Sequence, residues 1–491
     1  MNTHFDIAII GAGFAGIIAA LQLKKAGYHS FVIFERAADL GGTWRDNTYP
    51  GCACDVPAHL YSIADEPNPY WSNLFAGQAE IWAYMHTVAN KNKLGEHIIF
   101  NTDIVQQHFI ADKGQWQLND RKGNVYSARI VIMATGPLNR TYTPTIKGMD
   151  LFGGKQMHSA NWDANYDLTD KRVAVIGTGA SAIQIVPAIA AQVTQLTVFQ
   201  RTPAWIMARN DRKIDTATQQ RFAKYPRLQR ALREFIYSLL EFRGGMFVGN
   251  KWIHKIGTRQ ALKKLEREVI DPQVRQKLTP KYQLGCKRIL ASDDYLPTFN
   301  RANVTLETDA IGEITPTGIV TQSGKQYALD TIIYSTGFVA SEIQTDAQII
   351  GLNGQSLFEQ WQQTGLQAYR GTTVAGYPNL LFVLGPNTGL GHNSVLHMME
   401  SQLNYIVQYI DFLLKNKQLS YLDIQADVQA NYNKSLQYLF KGTVWDSGCK
   451  SWYLNSQGQN TTLYPRLTRE FRRETKQFVA AEYSAISYEG V

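Results

Sequence analysis

The feature that most constrains this sequence is a glycine-rich turn that occurs twice, each time between an apolar strand and a helix. GAGFAG follows the apolar run at residues 5–10, and GTGASA follows a second run at residues 172–176. In such turns the first glycine makes the tight turn, the second lets the backbone approach a pyrophosphate, and the third position packs the helix on the strand. The repeat predicts an α/β fold with two Rossmann-like dinucleotide-binding domains.

The first copy is completed by an acidic residue. Glu35 ends the next apolar strand, 19 residues after Gly16, where a carboxylate can accept hydrogen bonds from a ribose diol. The following Gly41-Gly42-Thr43-Trp44 allows close backbone passage and offers a flat ring, which favours FAD over NAD, although Trp44 alone also fits ordinary core packing. The predicted FAD contacts here are Gly11, Gly13, Phe14, Gly16, Glu35, Thr43 and Trp44.

The second copy carries a cation where the first carries an acid. Arg201 lies 19 residues after Ala182, and a guanidinium can fork onto a 2′-phosphate that a carboxylate would repel. We therefore expect NADPH at this site and electron flow from NADPH to FAD; the alternative is that Arg201 is a solvated surface charge. The predicted contacts are Gly177, Thr178, Gly179, Ala180, Ser181, Ala182, Arg201 and Thr202.

Composition excludes several other classes. The net charge is +8, but Lys and Arg are spread along the chain without a dense basic run, so no nucleic-acid partner is expected and cofactor phosphates account for part of the excess. The four cysteines do not form zinc spacing, and Cys52-x-Cys54 is too close for a redox pair, so free thiols in a reducing cytosol are expected. Neither a signal peptide nor an integral membrane segment is expected, which makes the prediction a cytoplasmic protein with no metal site.

The order of motifs predicts a discontinuous first domain with the second inserted into it. Residues 213–302 lack strand patterning and contain amphipathic helices, which could cover the substrate or dock on a membrane surface; covering is favoured because both signs of charge are present. The predicted segments are 1–145 (FAD domain, first part), 146–212 (linker and NADPH domain, first part), 213–302 (helical insertion), 303–379 (NADPH domain, second part) and 380–491 (FAD domain, second part).

The segment between the two nucleotide motifs resembles a family fingerprint. Residues 152–163 read FGGKQMHSANWD and match F-x-G-x-x-x-H-x-x-x-W-(P/D), the fingerprint of Baeyer–Villiger monooxygenases, at every fixed position. Related flavin monooxygenases that oxidise amines and sulfides have a shorter version without the Trp, so Trp162 and Asp163 favour the carbonyl-oxidising branch. His158 is expected to be a hydrogen-bonded residue of the linker rather than an acid or base.

The resemblance covers nearly the whole chain. YPGCACD at residues 49–55 and GCKR at 285–288 are similar to the family's YPGxxCD and GxKR segments, GPNTG at 385–389 with HNS at 392–394 to its late flavin-contacting loop, and residues 445–453 to the segment that folds over NADP. Trp452 is the residue chosen for that last contact. Tyr61, Val105 and Val395 complete the predicted cofactor contacts.

The resemblance also implies a mechanism. NADPH reduces FAD, O2 adds to give a peroxyflavin, and the peroxide attacks a ketone, which rearranges to an ester or lactone. Arg288 is expected to stabilise the anions, Asp55 to orient Arg288, and Lys287 to reach the NADPH phosphate beside Arg201. The alternatives are a surface salt bridge for Arg288 and a helix or turn cap for Asp55.

Other functions are weighed against this one. A flavin monooxygenase acting on N or S shares both cofactors and is the main alternative, so a small ketone, or a sulfide, is the expected substrate together with O2. A flavin disulfide reductase needs a cysteine pair stacked on the flavin, which the spacing of Cys52 and Cys54 does not provide. A redox sensor without catalysis has no support beside two complete nucleotide motifs.

Overall fold

The structure, a computed structural model, describes residues 3–339, 347–449, 451–455 and 457–488. Its strands are β1 (His4–Ile10), β2 (Phe31–Phe34), β3 (Ile98–Ile99), β4 (Ile104–Ile110), β5 (Gln115–Asp120), β6 (Val125–Met133), β7 (Lys155–His158), β8 (Arg172–Ile176), β9 (Gln195–Phe199), β10 (Ile206–Met207), β11 (Leu290–Ala291), β12 (Val304–Glu307), β13 (Ile311–Thr315), β14 (Gly318–Thr321), β15 (Gln326–Ala328), β16 (Thr331–Tyr334), β17 (Gln348–Ile350), β18 (Leu380–Phe382), β19 (Leu419–Ile424) and β20 (Tyr483–Ser487).

The α-helices occupy the connections between these strands and the C-terminal third of the chain. They are α1 (Phe14–Lys25), α2 (Thr43–Asp46), α3 (Gln78–Lys91), α4 (Ala182–Ile189), α5 (Thr216–Lys224), α6 (Pro226–Gly244), α7 (Lys251–Glu268), α8 (Pro272–Leu278), α9 (Tyr295–Thr298), α10 (Leu357–Thr364), α11 (Val395–Lys415), α12 (Ala426–Leu439) and α13 (Thr468–Glu474).

The first sheet is built around β1. Its strand order is β17-β4-β5-β6-β1-β2-β3, with β18 added beside β6, and the pairs β1–β2, β1–β6 and β6–β18 are parallel. All four residues of β2 are buried, because both faces of the sheet are covered. Phe31 and Ile33 lie in the core that contains helix α1, and Val32 and Phe34 lie in the core on the opposite face. Helix α11 packs against α1 on the first of these faces.

The second sheet is wholly parallel. Its order is β12-β9-β8-β16-β7, and α4 follows β8 as α1 follows β1. Both glycine turns therefore stand at the carboxyl ends of central parallel strands, where open α/β sheets bind ligands. The predicted α/β class with two Rossmann-like folds is confirmed.

One predicted boundary is wrong. Residues 303–379 were assigned as a block to the second domain, but β17 pairs in parallel with β4 of the first sheet, at Gln348↔Gln106 to Ile350↔His108. Side chains of α10 and of residues 368–377 pack into the same core, Trp361 and Tyr377 among them. The strand is only three residues long, so its partner is decided by packing that no local pattern contains.

The predicted helical insertion at 213–302 contains the five helices α5–α9, together with the short strand β11, which pairs with β10. In the part of the chain that the structure describes, no helix is both long enough and apolar enough to cross a membrane.

The expectation of four free thiols is wrong for two cysteines. Cys286 and Cys449, 163 residues apart in sequence, have Cα atoms 6.4 Å apart and form a disulfide, whereas Cys52 and Cys54 are free. The bond joins the loop that carries Lys287 and Arg288 to the C-terminal segment. Only the tertiary fold brings these positions together, and no spacing rule connects them.

Candidate active site

The first glycine turn is shaped for close backbone approach. Gly11 has φ +108° and donates its N–H to the Phe34 carbonyl at 2.8 Å. A Cβ on Gly16 would lie 1.9 Å from the Gly11 carbonyl oxygen, so only glycine lets α1 pack this tightly on the turn. Gly13 faces Gly42, where a Cβ would lie 3.3 Å from the Gly13 Cα. Two backbone segments without side chains thus meet beside the N-terminus of α1.

Glu35 lies at this turn, as its position after β2 predicts. Its buried carboxylate accepts hydrogen bonds from Ala12 N at 2.8 Å, Ala37 N at 3.0 Å and Arg45 Nη1 at 3.0 Å. Each carboxylate oxygen can accept more than one hydrogen bond, so these partners orient the group without using all of its capacity. The geometry suits an acceptor that is held in place for a diol.

Three of the predicted FAD residues form one aromatic cluster. Trp44 Nε1 donates to Tyr61 Oη at 3.0 Å, and the Phe14 and Tyr61 rings meet edge to face at 5.4 Å. Trp44 is buried in the core of the first domain, so the structure supports its packing role directly. Thr43 begins the short helix α2 that carries Trp44.

The two remaining predicted contacts lie on different elements. Val105 stands where the β4–β5 register shifts, between Ile104 and Gln106, and Val395 is the first residue of α11. At a register shift the backbone is partly released from the ladder, which leaves it free to bond elsewhere.

The second glycine turn repeats the design with more open space. Gly177 has φ +116° and donates to the Phe199 carbonyl at 3.1 Å, and Thr178 Oγ1 donates to the Thr202 carbonyl at 2.9 Å. A Cβ on Gly179 would meet nothing within 4 Å. Gly179, Ala180 and the side of Ser181 therefore border an open space before α4, while the Ala182 side chain is fully buried beneath the helix.

Two cations, Arg201 and Lys287, lie beyond this turn, close enough for the charge of Arg201 to affect the pKa of Lys287. Burial, and then the charge of Arg201, lower the pKa of Lys287. In the described parts of the chain no carboxylate forms an ion pair with either residue, and Lys287 Nζ instead lies 5.1 Å from the centre of the Tyr282 ring. Like charges brought together in this way raise each other's energy unless an anion binds between them. The residues present thus fit a cofactor phosphate.

Arg288 and Asp55 form an ion pair next to these cations. Arg288 Nη2 and Nε donate to the same oxygen, Asp55 Oδ2, at 2.5 and 3.2 Å. Burial raises the pKa of Asp55, but Arg288 outweighs it and holds that pKa below its usual value; the same pair raises the pKa of Arg288. The Arg288 side chain is still 39% exposed, and its Nη1 group is not used by Asp55. This is a charged donor held ready for an anion.

The segment that carries Asp55 also connects the two nucleotide folds. Tyr49 Oη donates to Gln184 Oε1 at 2.9 Å, and Gln184 Nε2 donates to the Ala53 carbonyl at 2.9 Å. A Cβ on Gly51 would lie 2.8 Å from the Gln184 carbonyl oxygen, so the segment lies directly on α4. The position of Asp55 is therefore set against the second turn as well as the first. Sequence reasoning names Tyr49 only as the first residue of the motif at 49–55, and it misses Gln184, which lies outside the motifs.

The C-terminal segment places a buried aromatic residue beside Arg288. Trp452 is 45% exposed, whereas Tyr453 is buried. Burial raises the pKa of Tyr453 to about 12, with Arg288 acting in the opposite direction and Asp55 in the same one. Tyr453 is thus the residue of this segment that lies beside the ion pair, and the exposed Trp452 keeps its predicted role at the NADP site as a prediction. The two are neighbours in sequence, and no periodicity in this loop indicates which one faces inward.

The fingerprint segment lies at the edge of the second sheet. His158 ends β7, is buried, and accepts a hydrogen bond from Ala160 N at Nδ1, 3.1 Å away. Burial lowers its pKa, which favours the neutral ring. Asp163 pairs with Lys155 at 2.5 Å, and Trp162 packs on the core of the second domain. His158 is thus held by the fold of the linker. Among the described residues, its hydrogen bond to Ala160 shares no partner with the Arg288–Asp55 pair.

The comparisons with known proteins agree with this geometry. The family model described as FMO-like, flavin-binding monooxygenase-like, matches residues 5–360, so the chain belongs to this family. Proteins named Baeyer–Villiger monooxygenase from Pseudomonas aeruginosa and Streptomyces coelicolor are 44% and 42% identical to it, over 98% and 99% of this chain and 91% and 93% of their own length.

Solved structures show the same architecture. Cyclohexanone monooxygenase from Rhodococcus sp. Phi1 bound to NADP+ has a TM-score of 0.89 at 25% identity, with 99% of this chain and 100% of that chain covered. A steroid monooxygenase bound to NADP has a TM-score of 0.87 at 28% identity, with the same coverage. OTEMO in complex with FAD and NADP has a TM-score of 0.86 at 27% identity, again with that coverage.

Proposed function

We propose that this chain is an FAD-containing, NADPH-dependent Baeyer–Villiger monooxygenase, which inserts one atom of O2 next to a ketone carbonyl to give an ester or lactone. The observation that carries the proposal is the Arg288–Asp55 pair, which stands beside Arg201 and Lys287, two cations without an ion-pair partner among the described residues, in a segment held on α4 at the second glycine turn. Its membership of the family and its full-length similarity to proteins of that name support the same activity.

The first turn is the proposed FAD site. Gly11, Gly13 and Gly16 leave room for a pyrophosphate at the N-terminus of α1, whose free N–H groups favour an anion. Glu35 is placed to accept from the adenosine ribose, and Trp44 and Tyr61 to support the rings from the core. When bound, FAD supplies the reaction with O2 and NADPH supplies the electrons.

The second turn is the proposed NADPH site. The open space at Gly179 and Ala180 admits the pyrophosphate, and Arg201 with Lys287 would hold the 2′-phosphate. The two cations would therefore favour NADPH over NADH in two ways. They would contact the 2′-phosphate directly, and the phosphate would offset the repulsion between them.

Arg288 is the proposed catalytic residue, and Asp55 is the residue that positions it. The guanidinium would stabilise the negative charge that develops on the ketone oxygen when the carbonyl is attacked. Because Asp55 accepts from Nε and Nη2, the planar guanidinium is held in one orientation, and its Nη1 group would be left to bind the substrate oxygen. Tyr453 closes one side of this site and helps exclude water.

The reaction is tested with labelled oxygen. The overall balance is ketone, O2, NADPH and H+ giving ester, NADP+ and water. Purified protein loaded with FAD is given NADPH, 18O2 and a panel of linear, cyclic and aryl ketones together with one thioether, and products are read by mass spectrometry. Esters or lactones with one 18O atom are the expected result. Sulfoxide alone, with every ketone returned unchanged, would assign the chain to the oxidation of soft nucleophiles instead.

We place the enzyme in the cytoplasm, on the ground that NADPH is its reductant. The cytoplasmic thiol pool keeps most cysteines reduced, but Cys286 of the Cys286–Cys449 disulfide is fully buried. The location is tested by cell fractionation with detection of the native protein.

A further inference from the structure

Lys and Arg occur along the whole chain, but the net positive charge comes from one segment. Residues 221–267, which begin within α5 and end one residue before the end of α7, hold twelve Lys and Arg against three Glu, while the whole chain has 49 Lys and Arg against 41 Asp and Glu. The 444 residues outside this segment therefore carry no positive excess. Ten of the twelve cations are exposed, and only Arg233 and Lys264 are buried. Cofactor phosphates are expected to balance part of the excess positive charge, but they do not explain the positive charge of this segment.

Large apolar side chains are exposed among these cations. Of the nineteen large hydrophobic side chains exposed in the described residues, eight lie between Tyr225 and Leu262. On α6, Leu228, Phe235, Leu239 and Phe242 are spaced by seven, four and three residues, which places them within about 60° of one another around the helix. Phe235 and Phe242 are 65% and 68% exposed. One face of α6 is thus an apolar stripe that faces water.

The buried face of α6 carries three polar side chains, Gln229, Arg233 and Glu241, beside the apolar Ile236, which departs from the usual pattern. Gln229 donates to the Asn68 carbonyl at 2.7 Å, and Arg233 Nη1 donates to the carbonyls of residues 59, 60 and 62. Glu241 accepts from Asn393 Nδ2 at 2.9 Å and Thr468 Oγ1 at 2.5 Å. Surface helices of globular proteins bury their apolar stripe. The inward polar network fixes this helix in the opposite orientation, so the stripe is held outward by the fold.

The turn between α6 and α7 also carries exposed aromatic and basic side chains. Phe242 and Arg243 lie in the last turn of α6, Lys251 and Trp252 begin α7, and the connection is closed by Asn250 N donating to the Gly245 carbonyl at 2.9 Å. Trp252 is 77% exposed. Further along α7, Lys255, Ile256 and Arg259 are also exposed. Aromatic and basic side chains thus alternate at this tip.

We propose that the outward surface of α6 and α7, here called the basic apolar face, binds the surface of an anionic lipid bilayer. Lys and Arg would contact lipid phosphates, while Phe235, Phe242 and Trp252 enter the boundary between headgroups and acyl chains. Contact with a nucleic acid would leave the apolar stripe of α6 in water. A second copy of the chain would bring ten exposed cations against ten others across a two-fold interface.

The turn between α6 and α7 contacts the loop that carries the proposed active-site residues. Phe247, in the α6–α7 turn, is the nearest neighbour of Gly285 and Gly391, with ring atoms 3.0 Å from a Cβ built on either glycine. Gly285 precedes Lys287 and Arg288 in the same loop, and Cys286 connects this loop to the C-terminal segment. Resting on the proposed function, the position indicates ketones that partition into membranes as the substrate class.

Binding is tested by flotation of the FAD-loaded protein with two kinds of phosphatidylcholine vesicle. One contains about 30% phosphatidylglycerol as the anionic lipid, and the other contains none. We expect binding to the anionic vesicles in about 0.1 M salt, and its loss in about 1 M salt, where charges are screened over a few ångströms. The charge variant K255E/R259E should weaken binding by at least about 25-fold, on the order of fivefold for each cation removed. The apolar variant F235S/F242S/W252S should weaken it by at least about tenfold.

Matched controls separate this face from the rest of the surface. Phe358→Ser and Tyr438→Ser remove exposed aromatic side chains on other helices and should leave binding unchanged. Every altered side chain is exposed, so each variant should keep the wild-type melting temperature. Equal binding to both vesicle types, absence of binding to either, a stable dimer that replaces vesicle binding, or tighter binding to a DNA duplex than to vesicles would overturn the proposal.

Activity is read separately from binding. Oxidation of a water-soluble ketone should be the same in wild type and in the apolar variant, whereas oxidation of a long-chain ketone presented in anionic vesicles should fall in the variant. Flotation without any ketone oxidation would refute the proposed function and leave the binding face standing. Ketone oxidation without flotation would refute the binding face alone.

Discussion

Removal of Arg201 or Lys287 should change which nicotinamide cofactor the enzyme prefers. Both side chains lie at the second turn without a partner acid among the residues described, and the 2′-phosphate distinguishes NADPH from NADH. A hydrogen bond to a charged group contributes about 1.5–3 kcal/mol, which corresponds to about 10- to 150-fold in affinity. Arg201→Ala and Lys287→Ala should each lower the ratio of kcat/KM for NADPH to that for NADH by about this factor, chiefly through KM for NADPH.

The pH dependence follows from the lowered pKa of Lys287. Burial and Arg201 both favour the neutral amine, so the charge that binds phosphate is lost at a lower pH than for an ordinary lysine. The preference for NADPH should therefore be complete below that pKa and decline as the pH rises through it. Arg201→Ala removes one of the two causes, so in this variant the decline should begin at a higher pH.

The assay is initial-rate NADPH and NADH oxidation in the presence of a ketone, from about pH 6 to pH 10, a range that extends from below to near the ordinary lysine pKa. Lys281→Ala, an exposed lysine six residues before Lys287, is the matched control and should change neither the ratio nor its pH profile. An unchanged cofactor ratio in Lys287→Ala and Arg201→Ala would refute the assignment of the 2′-phosphate to this pair.

Three further predictions concern the turns, the ion pair and the disulfide. Gly16→Ala should reduce FAD content and destabilise the fold by about 1–3 kcal/mol, because its Cβ would meet a carbonyl oxygen at 1.9 Å, whereas Gly179→Ala, which meets nothing within 4 Å, should keep its melting temperature; equal thermal shifts would contradict the packing argument. Arg288→Ala should still consume NADPH but lose oxygenated product by about 10²–10³-fold, read as the ratio of product to NADPH; wild-type product yield would remove Arg288 from the mechanism. Reduction with dithiothreitol should lower the stability of the wild type by about 2–4 kcal/mol and leave Cys286→Ser unaffected in thermal melts, and equal sensitivity of both proteins would argue against the bond in solution.

The nucleotide folds were readable from the sequence alone because their physical requirements are local. A tight turn, a close backbone approach and a close helix contact each demand a small residue at a set distance from a strand, and Gly11, Gly16 and Gly177 satisfy them within a few positions. The same holds for Glu35 and Arg201, which stand at matching registers after the two turns. Residue type and spacing are sufficient wherever the chain interacts mainly with its own neighbours.

Tertiary structure decided everything that depends on distant segments meeting. The pairing of Cys286 with Cys449, the addition of β17 to the first sheet, and the position of Tyr453 beside Arg288 each join parts of the chain that no spacing relates. The outward orientation of α6 is of the same kind. Its periodicity shows an amphipathic helix, but only the buried partners of Arg233 and Glu241 determine that the apolar side faces away from the protein. Side-chain pattern sets which faces exist, and long-range packing sets which face is covered.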